Sequence, residues 1–226
     1  MSAVLKAIFF DLDGTLLDTA PDMIAALNAL RAEHELAPTD YGAARAQVSN
    51  GAAGLLKLGF EHLDDAAREA LRSPYLDRYA SNLAVGTAPF PGMLDVLDAL
   101  DAVGLPWGVV TNKPAFLTEP LLDALDLAAR CAVTISGDTL ARRKPHPEPL
   151  LHAAGSLGLS SAQTMYVGDA PRDIEAGRSA GMITVAVTYG YHGPEEDPGN
   201  WGADHTVATP GELLQLPGLG RTAKPE

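Results

Sequence analysis

The chain has 226 residues, of which 46% are hydrophobic and 20% are charged. These values are near the average for globular proteins, and they exclude a wholly disordered, collagen-like or coiled-coil chain. With 16 Lys and Arg against 29 Asp and Glu, the formal net charge is −13. A surface this acidic repels nucleic-acid phosphates and anionic lipid. We therefore expect no nucleic-acid partner and no membrane partner, and any anionic ligand requires a locally basic site.

The cysteine content and the amino terminus both favour a cytoplasmic protein. Cys131 is the one cysteine, so the chain cannot form an internal disulfide. The apolar stretch before Asp11 is too short for a secretory signal, and no run approaches the roughly 18 apolar residues of a membrane span. We interpret Cys131 as a core residue, because nothing near it in the sequence would lower the pKa of its thiol.

Short apolar runs, each as long as a buried strand, alternate along the chain with helical patterns. The runs cover residues 7–10, 107–110, 132–135, 165–167 and 183–187. Between them, leucines recur at helical spacing; the first such pattern follows Pro91 and ends before Gly104. This alternation predicts an α/β protein with a Rossmann-like parallel sheet core that has helices on both faces.

One long segment, from about Thr19 to Pro89, breaks the alternation. It has several helical patterns but no β-branched run. We therefore interpret residues 18–89 as a helical cap inserted after the first strand, and residues 1–17 and 90–226 as the α/β core. Pro89 and Pro91 would stiffen the return connection. Residues from about 217 to 226 have little to bury and are expected to form a flexible tail.

Polar side chains that carry chemistry stand at the ends of the predicted strands, where an open parallel sheet binds its ligands. Four carboxylates brought together there require cations or raised pKa values. Lys144 supplies one positive charge, and Mg²⁺ suits a site of carboxylates, water and phosphate. The residues expected to converge are Asp11, Asp13, Thr111, Asn112, Lys144, Asp169 and Asp173.

Two other sites for cations or phosphates are excluded by the residues present. An EF-hand that began at Asp11 would need a third ligand, a glycine and a glutamate where the chain has Thr15, Leu16 and Asp22. A nucleotide-binding P-loop is also absent, because no Gly-Lys-Ser/Thr follows a spaced glycine.

Four motifs in order resemble those of the haloacid dehalogenase-like phosphatases. They are Asp-Leu-Asp-Gly-Thr-Leu from Asp11, Thr111-Asn112, Lys144-Pro145, and Gly168-Asp169 with Asp173, and the resemblance covers essentially the whole chain. The position of the insert is similar to the cap of the phosphoglycolate phosphatase branch. Residues 201–204 and 210–213 also resemble a sister group that dephosphorylates N-acetylmuramic acid 6-phosphate.

The resemblance implies an Mg²⁺-dependent phosphomonoesterase for a small carboxylate-bearing ester, with 2-phosphoglycolate expected first and N-acetylmuramic acid 6-phosphate or another sugar phosphate second. It implies that Asp11 is the nucleophile and that Asp13 is the general acid and base. It further implies a phosphate site of Thr111, Asn112 and Lys144, and a metal site of Asp11, the carbonyl of Asp13, Asp169 and Asp173. A monomer or homodimer is expected.

Two rival functions fit the residues less well. A 2-haloacid dehalogenase needs neither an acid at Asp13 nor the acidic pair Asp169 and Asp173. A catalytically inactive binding module would have lost Asp11, Asp13 or Lys144, and the chain keeps all three.

For several residues near the four motifs, a structural role is weighed against a role in catalysis or binding. We interpret Asp18 as the N-cap of the first cap helix, Lys113 as a solvated lysine, and Arg172 and Arg178 as helix-surface charges. For Asp173 the resemblance implies that it holds a metal-bound water or orients Lys144, and the structural alternative is a favourable charge in the first turn of a helix. For Asn50 and Gly51, two alternatives stay open, because they either reach the substrate from the cap or form a plain turn.

Overall fold

Strands and helices alternate through most of the structure, a computed structural model that describes residues 4–193 and 195–219. The strands are β1 (Ala7–Phe10), β2 (Leu17–Asp18), β3 (Ala88–Pro89), β4 (Trp107–Val110), β5 (Thr134–Ile135), β6 (Thr164–Gly168), β7 (Ile183–Val187) and β8 (His205–Val207). The helices are α1 (Ala20–Glu33), α2 (Tyr41–Arg45), α3 (Gly51–Gly59), α4 (Asp65–Ala70), α5 (Arg72–Ala80), α6 (Met93–Ala102), α7 (Ala115–Ala124), α8 (Glu148–Ser156) and α9 (Pro171–Ala180).

Within the described residues, six strands form one parallel sheet in the order β5-β4-β1-β6-β7-β8. The predicted Rossmann-like fold is therefore confirmed. β5 is shorter than the predicted run 132–135. The edge strand β8 was not predicted, because a strand of three residues that includes His205 and Thr206 has no apolar run to mark it.

β1 lies at the centre of the sheet, between β4 and β6. Ile8 pairs with Trp107 on one side and with Met165 on the other. All four residues of β1 are buried, as expected for a strand covered on both faces. The carboxyl end of β1 therefore opens at the middle of the sheet edge, and Asp11 is the next residue.

Alternate residues of β1 belong to two different hydrophobic clusters, one on each face of the sheet. Ile8 and Phe10 lie in the larger cluster with residues of α6 and α7, and Ala7 and Phe9 lie in the smaller one with residues of α8 and α9. The larger cluster continues into the cap helices. Cys131 is half-buried, and burial raises the pKa of its thiol.

Helices α1 to α5, called the cap below, are inserted between β2 and β3. These two strands pair antiparallel, with Leu17 opposite Pro89 and Asp18 opposite Ala88, so both crossings between core and cap lie side by side. The hairpin was not predicted, because two-residue strands have no periodicity. Asp22 lies in the first turn of α1. Its carboxylate accepts hydrogen bonds from the backbone N–H groups of residues 85–87, which lead from the cap back to the core.

The N-cap interpretation of Asp18 is wrong. Thr19 occupies the N-cap position of α1, and its side chain makes no capping hydrogen bond. Asp18 instead belongs to β2, and its Oδ1 accepts a hydrogen bond of 2.5 Å from the Tyr191 hydroxyl. The same hydroxyl accepts the Ala20 N–H at 2.9 Å, so a tyrosine from the distant loop after β7 caps this helix.

Residues 220–226, most of the predicted flexible tail, lie outside the described residues. Leu219, before them, is buried in the larger hydrophobic cluster, and its N–H donates to the carbonyl of Leu216. Among the described residues, no helix is long and apolar enough to cross a lipid bilayer.

Candidate functional site

The carboxyl edge of the sheet brings the predicted residues together. Asp11 directly follows β1, Thr111 follows β4 and Asp169 follows β6, while Lys144 comes from the loop between β5 and α8. Asp11, Thr111, Lys144 and Asp169 are all at least 96% buried, and so is Asp173 in the first turn of α9. Charged groups this deeply buried must compensate one another or bind a counter-ion.

Lys144 lies at the centre of the site and uses its ammonium group in three contacts. Its Nζ lies 2.8 Å from Asp11 Oδ1, 2.8 Å from Asp173 Oδ1 and 2.7 Å from the Tyr166 hydroxyl. The Tyr166 hydroxyl in turn donates to the Val110 carbonyl at 2.8 Å. These three contacts match the three N–H donors of an ammonium.

The loops that follow β4 and β5 are joined by the side chain of Asn112. Its Oδ1 accepts the Lys144 N–H at 3.1 Å, and its Nδ2 donates to the Lys144 carbonyl at 3.0 Å. Asn112 therefore holds the backbone that presents Lys144. The neighbouring Thr111 Oγ1 accepts the Lys113 N–H at 3.1 Å. The phosphate-binding role of Thr111 and Asn112 stays a prediction.

Asp11, Asp169 and Asp173 form a buried carboxylate triad in which one oxygen from each residue lies within 4.8 Å of the others. Burial first, and then the charges of Asp11 and Asp173, raise the pKa of Asp169 to about 8. The side chain of Asp13 is not part of this triad, and metal binding by its carbonyl stays a prediction.

The carboxylate of Asp169 has one satisfied and one unsatisfied oxygen. Its Oδ2 accepts hydrogen bonds from Ser49 Oγ at 2.6 Å and from the Tyr191 N–H at 2.8 Å. Its Oδ1 is buried and has no hydrogen-bond partner among the described residues. A buried oxygen without a donor is unusual, and a hard divalent cation bound by oxygen ligands would satisfy it. The residues of the triad therefore fit Mg²⁺.

Gly14 lets the Asp11 motif approach Asp169. Its φ is +84°, and a Cβ at this position would lie 2.0 Å from Asp169 Oδ2. Any other residue at position 14 would therefore displace the Asp169 carboxylate as well as strain the backbone.

Asp13 forms an ion pair with a lysine that was interpreted as solvated. Lys113 Nζ lies 2.8 Å from Asp13 Oδ1, and Thr19 Oγ1 donates to the same oxygen at 2.6 Å. Lys113 is 93% buried, and its Nζ lies 4.5 Å from the centre of the Tyr79 ring in the cap. Burial is the largest single effect and lowers the pKa of Lys113, but the combined effects of Asp13 and Tyr79 outweigh it, so the pKa is raised overall. The solvated interpretation is wrong because the cap covers this position.

A cavity of about 690 Å³ opens above these groups, between the core and the cap. Asp11, Lys144 and Arg143 line it from the core, and Asn50, Gly51 and Arg72 line it from the cap. The cap residues thus border the same space as the motif residues, but their contact with a substrate stays a prediction.

Arg172 was interpreted as a helix-surface charge, and this interpretation is wrong. It lines the cavity, and its Nη2 donates to the Ser49 carbonyl at 2.5 Å. Arg178, in the last turn of the same helix, is exposed as expected.

Four contributors to the site were missed from the sequence: Ser49, Lys113, Tyr166 and Arg172. Lys113 directly follows the Thr111-Asn112 motif, and this adjacency was the one signal that could have identified it. Tyr166 lies in an apolar strand and is indistinguishable there from a core residue.

The chain is similar to known proteins over most of its length. A family profile described as haloacid dehalogenase-like hydrolase matches residues 5–181. The chain is 47% identical over 213 residues to an N-acetylmuramic acid 6-phosphate phosphatase of Pseudomonas aeruginosa, with 94% of each chain covered. It is 48% identical over 210 residues to a phosphoglycolate phosphatase of Xanthomonas campestris pv. campestris, covering 93% of this chain and 95% of the relative.

A solved structure is similar over nearly its whole length. The crystal structure described as a predicted phosphoglycolate phosphatase from Haemophilus somnus has a TM-score of 0.84 and 29% identity, covering 93% of this chain and 97% of that one. With the four motifs assembled at one sheet edge and relatives of this similarity, the chain belongs to the haloacid dehalogenase-like hydrolases and, within them, to the phosphatases.

Proposed function

We propose that this chain is a cytoplasmic, Mg²⁺-dependent phosphomonoesterase that hydrolyses a small carboxylate-bearing phosphate ester through an aspartyl-phosphate. The observation that carries the proposal is the position of Asp11, which lines the cavity, contacts Lys144 and belongs to the buried carboxylate triad. Mg²⁺ bound at the triad would neutralise its negative charge and polarise a phosphoryl oxygen.

Asp11 is the nucleophile of the proposed mechanism. Its Oδ1 already accepts the Leu12 N–H at 2.7 Å and pairs with Lys144 Nζ at 2.8 Å. Oδ2 is therefore the oxygen that attacks phosphorus. The P–O bond to the leaving alkoxide breaks as the bond to Oδ2 forms, and water then hydrolyses the resulting acyl phosphate.

Asp13 supplies the proton for the leaving group. Lys113 pairs with Asp13 as a carboxylate, so the proton comes with the substrate, from a phosphate ester that binds as its monoanion. Thr19 and Lys113 both contact Asp13 Oδ1, so Oδ2 takes up this proton and donates it to the departing alkoxide. In the second step the same oxygen takes a proton from the attacking water and passes it to the departing inorganic phosphate, which returns Asp13 to its ionised state.

Lys144, Thr111 and the backbone N–H of Asn112 stabilise the phosphoryl oxygens during both displacements. Phosphoryl transfer requires positioning and charge stabilisation more than covalent help from the protein. The Asn112 amide supports this role because it fixes the backbone of Lys144. Asp173 contributes by holding the Lys144 ammonium at 2.8 Å.

The substrate is proposed to be 2-phosphoglycolate, with N-acetylmuramic acid 6-phosphate as the second candidate. Both carry a carboxylate, and Arg72, Arg143 and Arg172 line the cavity with positive charge in an otherwise acidic protein. The cavity volume of about 690 Å³ specifically favours the second candidate, because a two-carbon acid fills little of a space of this size. We propose that residues 18–89 act as the cap that sets this choice.

The proposal is tested by measuring phosphate release from matched esters in the presence of Mg²⁺. 2-Phosphoglycolate is compared with ethyl phosphate, and N-acetylmuramic acid 6-phosphate with N-acetylglucosamine 6-phosphate, which lacks the lactyl carboxylate. The carboxylate-bearing member of one pair should have the higher kcat/KM. Equal kcat/KM values within both pairs would contradict carboxylate recognition, and no release from any ester would contradict the phosphatase.

A further inference from the structure

Ser49 is the point at which the cap touches the carboxylate triad. It lies in a short 3-10 turn, Val48–Asn50, between α2 and α3. Its Oγ donates to Asp169 Oδ2 at 2.6 Å, a contact between residues 120 positions apart in the chain. Its carbonyl accepts a 2.5 Å hydrogen bond from Arg172, so the backbone of the turn is also held to the core.

A second contact fastens the same cap segment to the loop that follows β7. Arg45 Nη1 donates to the Gly190 carbonyl at 3.0 Å, and its guanidinium lies 4.7 Å from the centre of the Tyr191 ring. The Tyr191 N–H is the other donor to Asp169 Oδ2. One donor to this oxygen therefore belongs to the cap, and the other lies in a core loop that the cap contacts.

The distribution of donors on Asp169 gives these contacts a chemical consequence. Oδ2 takes two donors, one from the cap and one from the core, whereas Oδ1 takes none from the described residues. Two hydrogen bonds on one oxygen fix the rotation of the carboxylate and hence the direction in which the other oxygen points. A metal ligand oriented in this way binds more tightly than one that can rotate.

We propose that Ser49 is a positioning residue that orients Asp169 for Mg²⁺ only when the cap is closed. Cap closure and metal binding then strengthen each other, because the effect of one equilibrium on another is reciprocal. This inference rests on the proposed function, since it requires Mg²⁺ at the carboxylate triad. It adds a route by which the cap, besides covering the cavity, acts on the metal site.

The first test is Mg²⁺ binding to the full-length protein, measured by isothermal titration calorimetry without substrate. Ser49→Ala should weaken Mg²⁺ binding about tenfold, the lower end of the effect of removing a partner of a metal ligand. Ser49→Thr keeps the hydroxyl on a half-buried residue and should restore binding. Ser81→Ala is the matched control, because Ser81 is an exposed cap serine whose Oγ donates to the Asp77 carbonyl.

The outcomes separate this inference from the proposed function. If the unaltered protein does not bind Mg²⁺, both the metal site and the inference are wrong. If it binds Mg²⁺ and Ser49→Ala binds equally tightly or more tightly, only the inference is wrong.

The second test uses hydrogen exchange, which detects a linkage that a merely structural serine would not produce. Mg²⁺ should slow the exchange of backbone amides in residues 45–50 of the unaltered protein and of Ser81→Ala. The same addition should have little effect on these amides in Ser49→Ala. An equal Mg²⁺-dependent protection in all three proteins would overturn the proposal.

Discussion

Lys113 and Asp13 form an ion pair at the edge of the core, directly beneath the cap. Nζ lies 2.8 Å from Oδ1, and the side chains are 3% and 15% exposed. On its other side, the Lys113 ammonium lies 4.5 Å from the centre of the Tyr79 ring in α5. The proposed general acid is thus fixed by a cation that the cap itself covers.

Lys113→Met should destabilise the protein by about 3 kcal/mol, because removing one partner of a buried pair leaves an uncompensated charge on the other. Urea unfolding at constant pH measures the loss. Lys57→Met is the control, since Lys57 is an exposed lysine of the cap. The double variant Asp13→Asn, Lys113→Met should be more stable than Lys113→Met alone. If Lys113→Met loses no more stability than Lys57→Met does, the ion pair has no stabilising role.

Asp11→Asn should abolish phosphate release while preserving the fold, because an amide is nearly isosteric with a carboxylate but cannot attack phosphorus. Lys144 keeps its contacts with Asp173 and Tyr166, which supports correct folding of the variant. Mass spectrometry of quenched reactions should find a phosphoryl group on Asp11 in the unaltered protein. A phosphoryl group trapped on any other residue would contradict the assignment.

Asp13→Asn should slow the hydrolysis of alkyl phosphates far more than that of an aryl phosphate with an activated leaving group. An alkoxide is a costly anion unless it is protonated, whereas a stabilised phenolate leaves without help. General acid catalysis contributes about 10²–10⁴-fold, and this factor should shrink as the leaving group improves. The ratio of kcat/KM values for the two esters measures the effect, and equal losses would show that Asp13 is not the acid.

The raised pKa of Asp169 predicts that the stabilising effect of Mg²⁺ on the folded protein depends on pH. The pKa is about 8 in the folded, metal-free protein and about 3.9 in an unfolded chain. Between these values the folded state keeps a proton that the unfolded state has released, so the contribution of Asp169 to stability falls as pH rises from about 4 to about 8. Mg²⁺ replaces this proton, and its stabilising effect should therefore grow over the same range.

Thermal unfolding at pH 5, 6.5 and 8, in chelator and in excess Mg²⁺, measures this linkage. The Mg²⁺-induced rise in Tm should be larger at pH 8 than at pH 5 in the unaltered protein. Asp169→Asn should lose most of the rise at every pH. A rise that is independent of pH, or that survives in Asp169→Asn, would contradict the role of Asp169 as the metal ligand whose proton is displaced.

The sequence alone predicted five of the six strands of the parallel sheet and the residues at its carboxyl edge. Runs such as Ala7–Phe10 and Trp107–Val110 are apolar throughout because both faces of the strand are covered, and this pattern is local. Asp11, Thr111 and Asp169 each follow a strand directly. Parallel strands end at one edge whatever surrounds them, so the convergence of these residues was predictable before their contacts were known.

The tertiary structure alone decided which charges are buried and what they contact. Lys113 and Arg172 have the sequence surroundings of surface residues, yet the cap buries the first and draws the second to the Ser49 carbonyl. Ser49 and Asp169 are 120 residues apart, and their hydrogen bond exists because the cap returns to the sheet edge through the β2–β3 hairpin. Periodicity reports which side of a helix or strand faces the core of its own domain. Periodicity carries no information about a cap that packs over the core. The contacts between cap and core depend on how these two parts of the protein pack together.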